Sequence, residues 1–270
     1  MAKLKPMKRA HNSLWIGLSV LVLTLNPAVA ETAAAVAARA QAAIDGGNPP
    51  SWWTPTLPEK VQADVTGKGK RLAEQLQLND EAKTQKTAVL VAEHFGRVWA
   101  WHQEVDEKLN AAWRAWDGAR DNSNGKQKDE LKALTVMTEQ VDPIFAEFAP
   151  QIQGFLRVLR QEIGEEKTIA LLDRISRSPG AKRTYDAYLA MVPEMTEPEK
   201  AILWDRMVQA REDSLAAWSD GQIVKIFKKY KIRNEFSMDY FGYGYQKRYQ
   251  AWVNASKRAE AAVPTNSPSR

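Results

Sequence analysis

Cysteine is absent from the 270 residues, and histidine occurs only three times. Without cysteine there is no disulfide framework, so stability has to come from burial. A chain of this length can bury roughly 70 to 75% of its unfolded surface, enough for an ordinary core. A zinc site wants three or four ligands of thiolate or imidazole character, and the residues for one are missing. No metal and no other cofactor is expected. Gly-x-Ser-x-Gly, Walker and dinucleotide-type glycine spacings are missing too. No segment sustains the alternation of a strand, which leaves an all-α fold.

Charge of one sign is also scarce once the start of the chain is set apart. Lys3, Lys5, Lys8 and Arg9 precede an apolar run from Leu14 to Leu25, and Ala28-Val29-Ala30 follows as a small-residue cleavage site. This is the pattern of an export signal cut after Ala30. The apolar run is too short to span a bilayer of roughly 30 Å as a helix, so a signal is expected and not an anchor. A periplasmic or secreted protein with no integral membrane segment follows. The whole chain has 38 basic and 33 acidic residues, and the signal removes four bases and no acid. What remains is nearly neutral, without the basic face that would displace counterions from phosphates. Nucleic acid is therefore not an expected partner.

Residues 31–56 form an Ala-rich segment and a linker, Gly46-Gly47-Asn48-Pro49-Pro50 followed by Ser51-Trp52-Trp53-Thr54-Pro55. The two indoles read as cover for the main body, with a ligand platform as the alternative. A single helical domain is expected over residues 57–252, and a disordered tail over 253–270. After Asn79-Asp80, good N-cap residues, Ala88, Val91, Phe95, Val98, His102, Val105, Leu109, Ala112 and Trp116 step by threes and fours. That is one seam of a long helix reaching about Asp117. Beyond a polar turn at Arg120 to Lys126, a second seam comprises Leu131, Leu134, Thr138, Val141, Phe145, Phe148, Ile152, Phe155 and Leu159. The simplest pairing is a long antiparallel helical hairpin. Pro143, Pro150 and Gly154 predict kinks or a short break in its second arm. Shorter helices follow at Glu165 to Ser176, Ala181 to Met191, Thr196 to about Trp218, and Gln222 to about Asn234. Thr196-Glu197-Pro198-Glu199 has the spacing of a capping box. An aromatic C-terminal extension, Asp239 to Tyr245 and onward, reads as an ordered loop or short helices over the bundle.

Two positions stand out chemically. His102 is a polar ring on an apolar seam, and Asp106 follows by four residues on the same helix face. The pair makes a general base with its orienter, or a hydrogen-bonded core contact of no catalytic meaning. Lys225, Lys228, Lys229, Lys231 and Arg233 interleave with Ile226, Phe227, Tyr230 and Ile232. Such a run fits an acidic polysaccharide or anionic headgroups, or a solvated helix face.

At these residues the chain resembles a family of exported bacterial proteins known as domain of unknown function 3826. The likeness runs over roughly Leu76 to Asn234. It rests on His102-x-x-x-Asp106-x-Lys108, Thr184-Tyr185-x-x-Tyr188 with Pro193 and Thr196, Ala210-Arg211-Glu212, and Phe227-Lys228-Lys229-Tyr230-Lys231-x-Arg233-Asn234. The resemblance implies export, a helical fold and no established activity. Because members occur in bacteria that degrade complex polysaccharides, it also implies a link to glycan use. His102 and Asp106 are the catalytic candidates. Tyr185, Tyr188, Arg211, Lys229, Tyr230, Lys231 and Arg233 are the substrate-binding candidates. Three functions compete: a non-catalytic binding or accessory protein for acidic polysaccharide or another envelope protein, a carbohydrate lyase or hydrolase using His102 and Asp106, and a helical envelope chaperone.

Overall fold

The structure is a computed structural model in which residues 32–121, 129–176 and 180–262 are described. The export signal expected at 1–30, most of the polar turn after Arg120 and the last residues of the tail lie outside them. Among the described residues every regular element is helical. None of these helices is long and apolar enough to cross a membrane.

Asp80 caps α3, Glu81–Arg120, by accepting the Lys83 N–H at 3.0 Å. At 1.5 Å per residue this helix is about 60 Å long. Every residue of its expected seam is buried. Its partner arm comprises α4, Glu130–Val136, a π-turn at Met137–Val141, and α5, Asp142–Ile175. Arg120 bonds Glu130 at 3.0 Å, Trp113 meets Phe145 at 6.2 Å, Trp101 meets Phe148 at 5.0 Å, and His94 stacks on Phe155 at 4.1 Å. One number falls as the other rises, so the two arms run antiparallel.

The second seam needs correction at its start. Leu131 and Thr138 are exposed, and Ala133, Val136 and Met137 are buried instead. Pro143 has no N–H for the carbonyl four residues back, and its ring crowds that group. The helix widens for one turn just before it, and the extra residue of the π-turn shifts the buried face. Pro150 and Gly154 sit in uninterrupted helix. The break comes at Gly164, whose φ of 77° and ψ of 169° are open to glycine and to almost nothing else. The expected helix from Glu165 is the segment beyond this break.

Two further helices flank the hairpin. The Ala-rich segment forms α1, Ala33–Asp45, which lies along α5 and buries Val36. Between Trp53 and α3, α2 spans Glu59–Glu74 and packs tightly on α3. At Gly69 a Cβ would sit 2.3 Å from the Ala88 carbonyl oxygen, so the approach of the two backbones requires glycine. With α2 on one side and α5 on another, α3 has no exposed residue from His94 to His102. His94, off the expected seam, is as deeply buried as His102.

The C-terminal third contains α6, Gly180–Met191, α7, Glu197–Asp213, α8, Asp220–Tyr240, and α9, Tyr245–Ala262. Glu199 closes the capping box by accepting both the N–H and the hydroxyl of Thr196, at 2.9 and 2.7 Å. The α7 helix stops short of Trp218, in a 3₁₀ turn at Ser214–Ala216. The α8 helix continues six residues past Asn234. Residues from 253, expected to be a disordered tail, are helical as far as Ala262. Tyr188, Met191, Val192, Met195, Leu203 and Met238 form a second, smaller core here, with Tyr245, Tyr249 and Trp252 packed against it.

Candidate functional site

The two histidines of α3 share a structural task. A helix end leaves carbonyl groups without intrahelical partners. His94 Nε2–H donates to the Leu215 carbonyl at 3.0 Å, and His102 Nε2–H donates to the Ala216 carbonyl at 2.9 Å. Together the rings satisfy the turn that ends α7. His102 Nδ1 lies 2.6 Å from Asp106 Oδ1, within hydrogen-bond distance. The ring is fully buried, while the Asp106 side chain is 45% exposed. Neither lines the cleft described below. His94 Nδ1 meets no donor among the described residues, and burial pulls its ring down to about pKa 3, so it is a neutral core group. No three His, Asp or Glu side chains among the described residues converge as metal ligands.

The basic run of α8 divides between two sides of its helix. Lys229 points inward, 5% exposed, with Nζ 2.8 Å from Asp142 and 3.2 Å from Asp213. Tyr230 donates its hydroxyl to Asp213 at 2.5 Å, and burial beside that carboxylate pushes the phenol far above its ordinary range. Arg233 donates to Asp142 at 2.9 Å. Arg211, also buried, faces Asp173 at 3.6 Å. These candidates are tied to acids of α5 and α7 and hold helices together. Tyr185 packs against Trp204, ring centres 5.1 Å apart, between the two cores.

Tyr188 and Lys231 lie elsewhere. They line a cleft of about 1080 Å³ walled by α6, α8 and α9, with Trp116 at its inner end. Position 224, 228, 231 and 235 of α8 recur at helical spacing along one wall. Arg183 comes from α6. Tyr245, Tyr249 and Trp252 recur along α9 and line the same cleft. Their rings step along the helix at 5.8 and 6.4 Å, tilted by only 31° and 35° from one to the next. All three are half-buried. Tyr188 is sealed beneath them, its phenol raised by burial and by the nearby Glu235. Glu235 accepts the Tyr245 hydroxyl at 3.3 Å and lies 3.7 Å from Lys228. Burial lifts its carboxyl above the ordinary range.

A family model described as protein of unknown function (DUF3826) matches residues 62–258. The chain belongs to this family. The match is wider than the span the motifs alone suggested, and takes in most of α2 at one end and most of α9 at the other. Both histidines and every wall of the cleft fall inside it. No curated protein sequence matches the chain.

Arg183, Glu235, Tyr245, Tyr249 and Trp252 were not among the sequence candidates. The signal for the α8 members was present, since Lys228, Lys231 and Glu235 are three and four residues apart. The α9 rings follow the same step. Arg183 carries no such signal, because its neighbours in the cleft come from helices about 50 residues away.

Proposed function

We propose that this member of the family is an exported binding or accessory protein that holds a saccharide in the cleft between α6, α8 and α9. The export signal supports the location, and the ring ladder Tyr245-Tyr249-Trp252 carries the reading of the ligand. Sugars present flat C–H faces ringed by hydroxyls, and a row of half-buried aromatic rings with polar edges is their complement. Stacked bases would use similar rings, but they bring phosphates, and the exported part of the chain is close to neutral. A polymer-bound sugar also suits a cleft open along its length, in keeping with a role in polysaccharide use. Catalysis by His102 finds less support, because both of its nitrogens are engaged and the ring does not line this cleft.

Titration with oligosaccharides of differing charge, followed by the fluorescence of the cleft tryptophan and tyrosines, tests the reading. A Trp252→Ala exchange should weaken binding about tenfold, the loss typical of an aromatic anchor. Failure of the wild type to bind any neutral or acidic oligosaccharide at low salt would overturn it.

A further inference from the structure

The cations along the cleft are not equivalent. Arg120 is held by Glu130 at 3.0 Å, Lys225 by Asp117 at 2.5 Å, and Lys228 by Glu235 at 3.7 Å. Arg183 and Lys231 have no carboxylate within 4 Å among the described residues, although both line the same cleft. Burial, then the like charge of Lys228, holds the Lys231 ammonium below its ordinary proton affinity; Glu235 pulls the other way, and Arg183 adds the weakest repulsion. On the inner side of the same helix Lys229 and Arg233 each have acids in contact. An anionic group bound in the cleft would meet two cations that no carboxylate contacts at that distance among the described residues.

We infer that Arg183 and Lys231 form the recognition pair for a single carboxylate on the ligand, so that the cleft selects an acidic sugar over its neutral counterpart. This rests on the saccharide reading of the same cleft. A guanidinium matches the two oxygens of a carboxylate, and an ammonium beside it adds a point charge. Lys228 remains with Glu235, which places one uncompensated positive patch in the cleft and not a basic track. The ring ladder of α9 lines the same cleft, so a sugar stacked on Tyr249 or Trp252 shares it with both cations. The selected ligand is therefore a uronate-type sugar bearing isolated charges.

Calorimetric titration of the protein with an oligosaccharide that carries a single uronate residue, and with the same oligosaccharide after reduction of that carboxyl, tests the pair. The acidic probe should bind at least tenfold more tightly, and Lys231→Met or Arg183→Gln should each remove most of that preference. Equal affinity of the wild type for the two probes would overturn the pair while leaving the saccharide reading intact. Retention of the preference in both variants would overturn it as well. Binding of neither probe would overturn the saccharide reading, and the pair with it. If a neutral variant fails to fold, the wild type at about 1 M salt decides, because the Debye length there is about 3 Å. The preference should then fall toward unity, and its survival would contradict a charge-based pair.

Discussion

The two sides of α8 carry the same kinds of residue and use them differently. On the inner side Lys229, Tyr230 and Arg233 meet Asp142 from α5 and Asp213 from α7. On the outer side Lys231 has no carboxylate within 4 Å among the described residues, and with Lys228 and Glu235 it lines a cleft that aromatic rings of α9 also line. A run of lysines in sequence is therefore not one surface. Helical winding deals its members to opposite sides, and the acids brought by other helices decide which of them hold the fold together and which remain for a ligand.

The largest test of this difference is Lys229→Met. It leaves two carboxylates facing a buried position with only Arg233 and Tyr230 to answer them, and removing one partner of a buried ion pair costs about 3 to 5 kcal/mol. Denaturant unfolding should show a loss of that size. Tyr230→Phe keeps the ring and deletes the bond to Asp213. A hydrogen bond to a charged group contributes about 1.5 to 3 kcal/mol, so a loss near the lower end is expected, since Lys229 still serves the carboxylate. Lys231→Met, two residues from Lys229, should change stability by less than about 0.5 kcal/mol. A loss at Lys231 equal to that at Lys229 would erase the distinction.

Acid sharpens the comparison from the core side. The unfolded chain protonates His94 near its ordinary pKa of 6.5, while burial delays protonation in the folded protein to about 3. Between those values the unfolded state binds the extra proton, so stability falls as pH drops through the window. Thermal melts from pH 7 down to pH 4 should show this fall, and His94→Gln should flatten it while keeping a donor for the Leu215 carbonyl. Glu235, whose carboxyl is raised by burial in the cleft, acts with the opposite sign: the folded state takes up its proton first, which adds stability as pH falls.

Much of the scaffold was legible because α3 obeys one rule from end to end. Its seam from Ala88 to Trp116 is buried at every position, and the antiparallel partner follows from the second run of apolar residues. The seam argument failed where the backbone left the α-helical period, at the π-turn before Pro143. It also failed where one stripe was too few, since α3 is enclosed on several sides and buries His94 as well as His102. The α2 helix escaped notice because its tightest contact is made by Gly69, which carries no apolar signal. At the cleft, Tyr188 and Lys231 could be named from sequence, yet Lys229, Tyr230 and Arg233 came with them. Separating them requires knowing that Asp142 and Asp213 arrive on the inner side, and no local pattern contains that information.

The most direct test is thermal unfolding of Lys229→Met and Lys231→Met, each with and without a saturating acidic oligosaccharide. The Lys229 variant should melt well below the wild type and still be raised by the ligand, whereas the Lys231 variant should melt with the wild type and lose most of that rise. Equal destabilisation of the two variants, or a full ligand-induced rise in the Lys231 variant, would contradict the assignment of structure to one side of α8 and binding to the other.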